Sequence, residues 1–123
     1  MSYDFTIRSD EGFSQFEPLS RLAAFLTKQP HVKRNGTGDA SFVLEHGALR
    51  MQMDAGTVDQ EHAAMAPPHF NCIEVSVPSS SLVRHPQRRY LPLLRAIAQH
   101  FAWELYDEQL GENLPLQPWW KLW

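Results

Sequence analysis

The alternation of apolar and polar positions predicts several β-strands. Tyr3, Phe5 and Ile7 alternate with polar neighbours, which is the period of a strand with one buried face. Four later stretches are also expected to form strands, at residues 41–45, 49–54, 71–77 and 103–107, and the last three of them repeat this period. The stretch at 71–77, with Ile73 and Val75, is the strongest because β-branched residues fit a pleated, half-buried surface.

Two other stretches have the period of an α-helix. Their apolar residues fall at i, i+3, i+4 and i+7; they are Leu19, Leu22, Ala23 and Leu26 in the first stretch, and Leu94, Ile97, Ala98 and Phe101 in the second. Pro18 suits the first turn of the first helix, where its missing N–H costs nothing. Pro92 would remove an internal hydrogen bond unless it also lies in a first turn. We therefore expect the second helix to begin between Gln87 and Leu91.

The order of these elements indicates the fold class. The chain runs from a strand to a helix, then through several strands to a second helix and a last short strand. Turn signals such as the one at residues 35–38 favour antiparallel pairing of the strands that they join. We therefore expect an α+β fold, in which an antiparallel sheet of about four to six strands has two helices packed on one face. Residues 1–123 suffice for a single domain.

Charge narrows the classes of partner. The chain has 11 Lys and Arg against 14 Asp and Glu, and a net charge of -3 argues against a general nucleic-acid binder. The acidity is concentrated in residues 39–83, which contain six acidic residues and a single arginine. Dense negative charge steers association with a cationic partner. The middle of the chain is therefore the candidate region for such a contact.

The termini and the cysteine content bear on location. The N-terminus has neither a basic region nor an apolar run of the signal-peptide kind, and no apolar stretch is long enough to span a bilayer. We expect a cytoplasmic protein without membrane contact. One cysteine forms no internal disulfide and no multi-cysteine zinc site, so Cys72 is interpreted as a small buried hydrophobe. We expect Trp103 to lie in the core.

Catalytic motifs are missing from the sequence. It contains no nucleophile elbow, no phosphate-binding loop and no pair of histidines with zincin spacing. We therefore expect no enzymatic activity, no cofactor and no metal. One alternative remains open in the long loop at residues 55–68, where His62, with His69 just beyond it, Asp59 and Glu61 offer nitrogen and oxygen ligands. On that alternative the protein is a small metal- or ligand-binding α+β enzyme.

The C-terminal tail is aromatic and broken by prolines. Trp119, Trp120 and Trp123 follow one another closely after Pro118. One interpretation is that the tail packs back over the core. The other is that it anchors a partner or a second copy, since tryptophan is enriched at the centres of interfaces. The second interpretation leaves a homodimer, or a homo-oligomeric scaffold protein, as a further alternative.

The second half of the chain resembles a known class of proteins. A strand at residues 73–78 leads to a helix ending at 96–100, and the sequence Trp-Glu-Leu-Tyr-Asp-Glu-Gln follows at 103–109. This arrangement resembles small immunity proteins of bacterial polymorphic-toxin systems, of the contact-dependent or type VI-secreted kind. The resemblance is to the class as a whole. It implies a small, non-catalytic protein that binds a cognate toxin domain and blocks it by steric occlusion.

The charge pattern and the tail together define the expected contact surface. The predicted partner-binding residues are Asp54, Asp59, Glu61, Asp107 and Glu108, with Trp119 and Trp120 as possible anchors. The resemblance implies a cognate toxin protein as the partner, and these acidic groups are complementary to a basic surface on it. Neither a nucleic acid nor a membrane is expected to bind.

Overall fold

The structure, a computed structural model, describes residues 2–36, 40–47, 49–57, 69–78 and 87–116. Within these ranges the chain forms nine strands and two helices, in the order β1 (Ser2–Arg8), β2 (Glu17–Pro18), α1 (Leu19–Leu26), β3 (Val32–Arg34), β4 (Ser41–His46), β5 (Leu49–Gly56), β6 (His69–Phe70), β7 (Cys72–Pro78), α2 (Gln87–Phe101), β8 (Glu104–Asp107) and β9 (Glu112–Leu114). The predicted α+β class is confirmed.

Seven of the described strands form one large antiparallel sheet. Their order is β3-β4-β5-β7-β1-β8-β9, so the N-terminal strand lies between two strands from the second half of the chain. Phe5 is opposite Val75 on one side and Asp107 on the other. β2 and β6 pair separately, where Glu17 is opposite Phe70. The described sheet is therefore wider than the four to six strands expected, partly because β9, like β2 and β6, is too short to show a period.

The first helix begins directly after Pro18. This residue has an extended backbone, with φ at -63° and ψ at 135°, and it belongs to β2 as well as preceding the helix. The ring of proline fixes φ near this value, so Pro18 suits the junction between a strand and a helix. The helix ends at Leu26, and the N–H of Thr27 donates to the carbonyl of Ala23 at 3.0 Å.

The second helix begins at Gln87, within the range that the sequence predicts. Pro92 is its sixth residue, so the expectation that this proline lies in the first turn is wrong. An internal proline costs about 3 kcal/mol of helix stability. Pro92 itself is exposed, whereas Leu94 and Ile97 are fully buried, and burying each such side chain contributes about 1.5–3 kcal/mol. Burial of this apolar face offsets the cost of the proline.

The core lies between one face of the large sheet and the two described helices. Leu22 and Leu26 of α1 and Leu94 and Ile97 of α2 belong to the same buried cluster as the inner residues of the strands, among them Phe5, Ile7, Met51, Met53, Ile73, Val75, Val77 and Leu105. Because successive side chains of a strand point to opposite faces, all these strand residues lie on one side of the sheet. The expected packing of both helices on one face is confirmed.

A tight turn at Ala102 connects α2 to β8 and places Trp103 in the core. Ala102 has a φ of +57°, and the N–H of Trp103 donates to the carbonyl of Ala98 at 2.8 Å, as in a Schellman helix end. The Trp103 ring is 2% exposed and contacts Phe70 and Phe101, with centroids 5.3 and 5.4 Å away. The prediction of a core tryptophan is confirmed.

Cys72 is buried, as expected for a small hydrophobe. Burial raises the pKa of its thiol to about 11, and the negative charge of Glu74 adds to the effect. The thiol is therefore protonated at neutral pH. None of the helices in the described ranges combines the length and the apolar character needed to cross a membrane.

Two leucine substitutions test whether α2 holds the core together. Leu94 is fully buried, so we expect Leu94→Ala to lower the free energy of unfolding by about 2–5 kcal/mol, through lost burial and the cavity that it leaves. Leu110 is 59% exposed and provides the matched control, with an expected change within about 0.5 kcal/mol. Urea denaturation measures both, and equal losses would contradict this account of the core.

Candidate functional site

The face of the large sheet that points away from the helices is polar. It carries the alternate residues of four neighbouring strands, which are Arg50, Gln52 and Asp54 of β5, Cys72, Glu74 and Ser76 of β7, Asp4, Thr6 and Arg8 of β1, and Glu104 and Tyr106 of β8. Thr6 and Cys72 are buried. We call this surface the polar face. No described helix packs on this side, so the side chains here are candidates for recognition of another molecule.

Two carboxylates on the polar face are direct neighbours. Asp54 of β5 is paired with Glu74 of β7, and both side chains are exposed. Like charges directly opposite one another in an antiparallel pair are destabilising. The hydroxyl of Ser41 and the amide of Gln52 donate to the Asp54 carboxylate, the latter at 2.9 Å. A cation bound at this point would relieve the remaining repulsion.

Glu108 extends this negative region beyond the end of β8. Its N–H donates to the carbonyl of Asp4 at 3.2 Å, and its side chain is exposed. Partial burial raises the pKa of Glu108, and the negative charges of Asp4 and Glu74 raise it further, while Arg8 lowers it. Glu108 therefore shares one electrostatic field with the carboxylates of β1 and β7.

We call Asp4, Asp54, Glu74 and Glu108 the acidic strip. Asp54 and Glu108 are residues that the sequence analysis selected, and the structure brings them to the same face. Asp4 and Glu74 were not among the residues predicted from the sequence. Both occupy polar positions in the alternating pattern of their strands, and this pattern could have indicated that they lie on the exposed face. Their proximity depends on strand order, which the pattern of a single strand does not contain.

Arg8 marks the end of the polar face away from Glu108. Its guanidinium lies over the Tyr106 ring at 4.3 Å from the centroid and over Phe13 at 5.6 Å. Its Nε is 3.6 Å from a carboxylate oxygen of Glu104. Cation–π contacts of this kind hold the guanidinium group in place and fix its orientation over the rings. Arg8 is thus held by Glu104 and two aromatic rings, and its charge also acts on Glu108 of the acidic strip.

Asp107 does not lie on the polar face, which corrects its place in the predicted contact surface. It is 2% exposed. Alternate side chains of a strand point to the same face, so Asp107 shares the core face with Leu105, whereas Glu104 and Tyr106 lie on the opposite face. Its carboxylate accepts hydrogen bonds from the Tyr3 hydroxyl at 2.9 Å and from the N–H groups of Gln109 and Leu110 at 2.9 and 3.1 Å. Asp107 therefore organises the structure from within.

The turn that Asp107 holds, at residues 108–111, is also attached to β1. The Gln109 amide donates to the carbonyl of Asp4 at 2.6 Å and accepts from its N–H. Gly111 has a φ of +69°, which favours glycine, and its N–H donates to the carbonyl of Asp107 at 2.8 Å. This hairpin turn carries both Glu108 of the acidic strip and Leu110, whose side chain is exposed.

The remaining predicted site residues lie outside the described part of the chain. They are Asp59, Glu61, Trp119 and Trp120, together with His62 from the alternative metal site. His69 is described, in β6, where it is half-buried. Among the residues that the structure describes, no group of three or more His, Cys, Asp or Glu side chains is arranged to hold a metal ion.

Two tyrosines lie near Asp107, of which Tyr90 is buried and Tyr3 is partly buried. The Tyr3 and Tyr90 rings both pack against Phe5, with centroids 5.1 and 5.8 Å from it. Burial raises the pKa of Tyr90 to about 12, and the proximity of Tyr3 and of the Asp107 charge contributes. Burial also raises the pKa of Tyr3, as do its hydrogen bond to Asp107 and the charge of that carboxylate. The hydroxyls are therefore kept protonated around a buried anion.

No protein-family model matches this sequence, and neither the curated proteins nor the solved structures compared with it gave a match.

The buried aspartate and its exposed neighbour give a matched test of the hairpin turn. Asp107→Ala leaves the Tyr3 hydroxyl and two N–H groups without their acceptor, so we expect the free energy of unfolding to fall by about 2–4 kcal/mol. Glu108→Ala changes an exposed side chain, and we expect a change within about 0.5 kcal/mol. Chemical denaturation compares the two; a neutral Asp107→Ala would contradict the structural role.

The raised pKa of Tyr90 predicts a loss of stability in alkali. A folded-state pKa of about 12 against 10.0 means that folding favours the protonated hydroxyl. Its contribution is complete below pH 10 and is lost as the pH rises towards 12. We expect Tyr90→Phe to show a shallower decrease in the free energy of unfolding over this window. Denaturation curves at several alkaline pH values measure it, and slopes equal to those of the unmodified protein would refute the assignment.

Proposed function

We propose that this protein is a non-catalytic binding protein of the immunity class, which binds a cognate bacterial toxin domain and neutralises it by steric occlusion. The observation that carries the proposal is the acidic strip, with Asp54 and Glu74 directly opposite one another on the polar face. The partner of this surface presents lysine and arginine side chains to it. We further propose that the protein acts in the cytoplasm and without a cofactor.

The arrangement of charge supports recognition of a basic protein surface. Asp54 and Glu74 repel one another in the free protein, and the raised pKa of Glu108 shows that Asp4 and Glu74 also act on it. A basic group placed over the strip reduces this repulsion, so binding gains from the charges of both partners. Complementary charge increases the rate of encounter and disfavours wrong partners.

The shape of the surface supports occlusion. The acidic strip crosses from β5 through β7 and β1 to the end of β8, which is three strand spacings or about 14 Å. A broad sheet face covers a neighbouring surface and does not enter a cleft. At its edge, the hairpin turn presents Leu110, which is 59% exposed, as an apolar contact beside Glu108. Asp107 holds this turn in advance, and such preorganisation lowers the entropic cost of binding.

The resemblance to immunity proteins supports the choice of a toxin as the partner. It covers roughly the second half of the chain and is to the class as a whole, so it bears on the class of partner and assigns no contact residue. The proposal therefore joins a class of partner, implied by the resemblance, with a surface, described by the fold. Asp107 supports that surface from the core side of the sheet and does not itself contact the partner.

The test is growth rescue during co-expression with the product of the gene immediately upstream, in which we expect a toxin domain. We expect co-expression of the unmodified protein to restore growth, and the purified pair to form a complex whose affinity decreases with salt. The double variant Asp54→Asn/Glu74→Gln removes two charges from the acidic strip. We expect it to weaken binding about tenfold or more, mainly through slower association.

The matched control changes the net charge equally on the other side of the molecule. Ala24 and Thr27 are exposed at α1. Ala24→Lys/Thr27→Lys adds two positive charges, which changes the net charge by the same amount as removing two negative charges from the acidic strip. We expect this variant to bind as tightly as the unmodified protein. Equal weakening by both double variants would show an effect of net charge and refute the acidic strip as the contact. Failure of the unmodified protein to rescue growth or to form a complex would refute the immunity function.

A further inference from the structure

Two histidine rings are stacked on the surface at the other end of the large sheet. His31 follows α1, and His46 is the last residue of β4. Their ring centroids are 4.1 Å apart and their planes differ by 7°. The carbonyl of His31 accepts a hydrogen bond from the N–H of Glu45 at 2.9 Å, which joins the two segments next to the rings. The pair is therefore held together by the backbone as well as by stacking.

The stacked rings form one wall of an open groove. Its volume is about 420 Å³, and it lies between the end of α1, β4 and the middle of α2. Leu44, Leu93 and Ala96 supply apolar lining, whereas the two imidazoles and the amide of Gln29 supply the polar groups that the described lining contains. A largely apolar concavity with a few polar groups at one point is typical of a small-ligand site.

The backbone at His31 is strained in a way that favours a specific role. Its φ is +67°, in the left-handed region that residues other than glycine rarely occupy. Such a conformation costs about 1–3 kcal/mol and persists only where the surrounding structure maintains it. In this protein the strained residue is His31, whose ring stacks on that of His46. The local energy cost therefore falls where two imidazoles meet.

We propose that His31 and His46 form a two-histidine site for a borderline divalent metal ion, of the class of Ni²⁺, Cu²⁺ and Zn²⁺. Imidazole nitrogen is a preferred ligand of these ions. A metal–nitrogen distance of about 2.0–2.1 Å allows two ligand nitrogens on one ion to lie at most about 4.2 Å apart. The ring centroids are 4.1 Å apart, so a tilt of the two rings is enough to bring one nitrogen of each to this separation. Both side chains are exposed, so water completes the coordination, as in open metal sites.

Binding requires a change in the angle between the rings. Parallel rings direct their nitrogen lone pairs side by side, and an ion between two ligands needs these lone pairs to converge. Both side chains are exposed, and the groove provides space on one side into which the rings can tilt. The site therefore binds by tilting the two rings together while the backbone contact between His31 and Glu45 is kept.

The test titrates the untagged full-length protein with Ni²⁺, Cu²⁺ and Zn²⁺ separately, by calorimetry at pH 7.5. We expect His31→Asn and His46→Gln each to weaken binding of the best ion at least tenfold, because each removes one of two ligands. Asparagine tolerates the left-handed backbone at position 31, and circular dichroism confirms folding. His100 is also exposed and stacks on Phe25, with centroids 4.5 Å apart, so His100→Gln is the control and leaves the affinity unchanged.

A second measurement identifies the ligands directly. Electron paramagnetic resonance of the Cu²⁺-loaded protein resolves coupling to nitrogen, and we expect each single variant to lose one of two coupled imidazoles. The proposal is overturned if none of the three ions binds. It is equally overturned if both variants keep the affinity and the spectrum of the unmodified protein, since the ion then sits on other histidines. Neither outcome bears on toxin binding, which uses the acidic strip.

Discussion

The pairing of β1 with both β7 and β8 is the constraint on which the rest of the structure depends. It joins the N-terminal strand to the end of the chain, so that Tyr3 donates to Asp107 across 104 sequence positions. The apolar side of β1 completes the floor on which the described helices pack. Its polar side joins the carboxylate of Asp4 to those of β5 and β7. Core and candidate contact surface therefore depend on the same three strands.

The two faces of the sheet have different tasks. On the core side, Asp107 is a buried anion whose cost is offset by donors from Tyr3 and from the hairpin turn. On the polar face, Asp54 and Glu74 lie directly opposite one another, and the repulsion between these two carboxylates is the electrostatic basis of the proposed binding. The buried acid stabilises the free protein. The exposed acids repel one another in the free protein, and a basic partner lowers the free energy by reducing this repulsion. The distinction between them follows from the strand period of two.

The sequence pattern was sufficient to predict some residues of the candidate site and insufficient for others. Asp54 and Glu108 are exposed and share the acidic strip, as a contact surface requires. Asp107 is adjacent to Glu108 in the same run of acidic residues. Successive side chains of a strand point to opposite faces, so Asp107 lies in the core and Glu108 is exposed. The residues missed, Asp4 and Glu74, become neighbours of the others only through strand order. The stacked histidines similarly lie on segments whose contact is set by the pairing of β3 with β4.

By itself the sequence determined the α+β class, both described helices, the longer strands and the burial of Trp103. These follow from periods of 2 and 3.6 residues, from proline geometry and from the size of apolar side chains, all of which act over a few neighbouring positions. Only the tertiary structure decided that β1 lies between β7 and β8, that Asp107 is internal, and that His31 meets His46. These depend on which distant segments pack together, because the free energy of a long-range contact is set by both partners and by everything that packs around them.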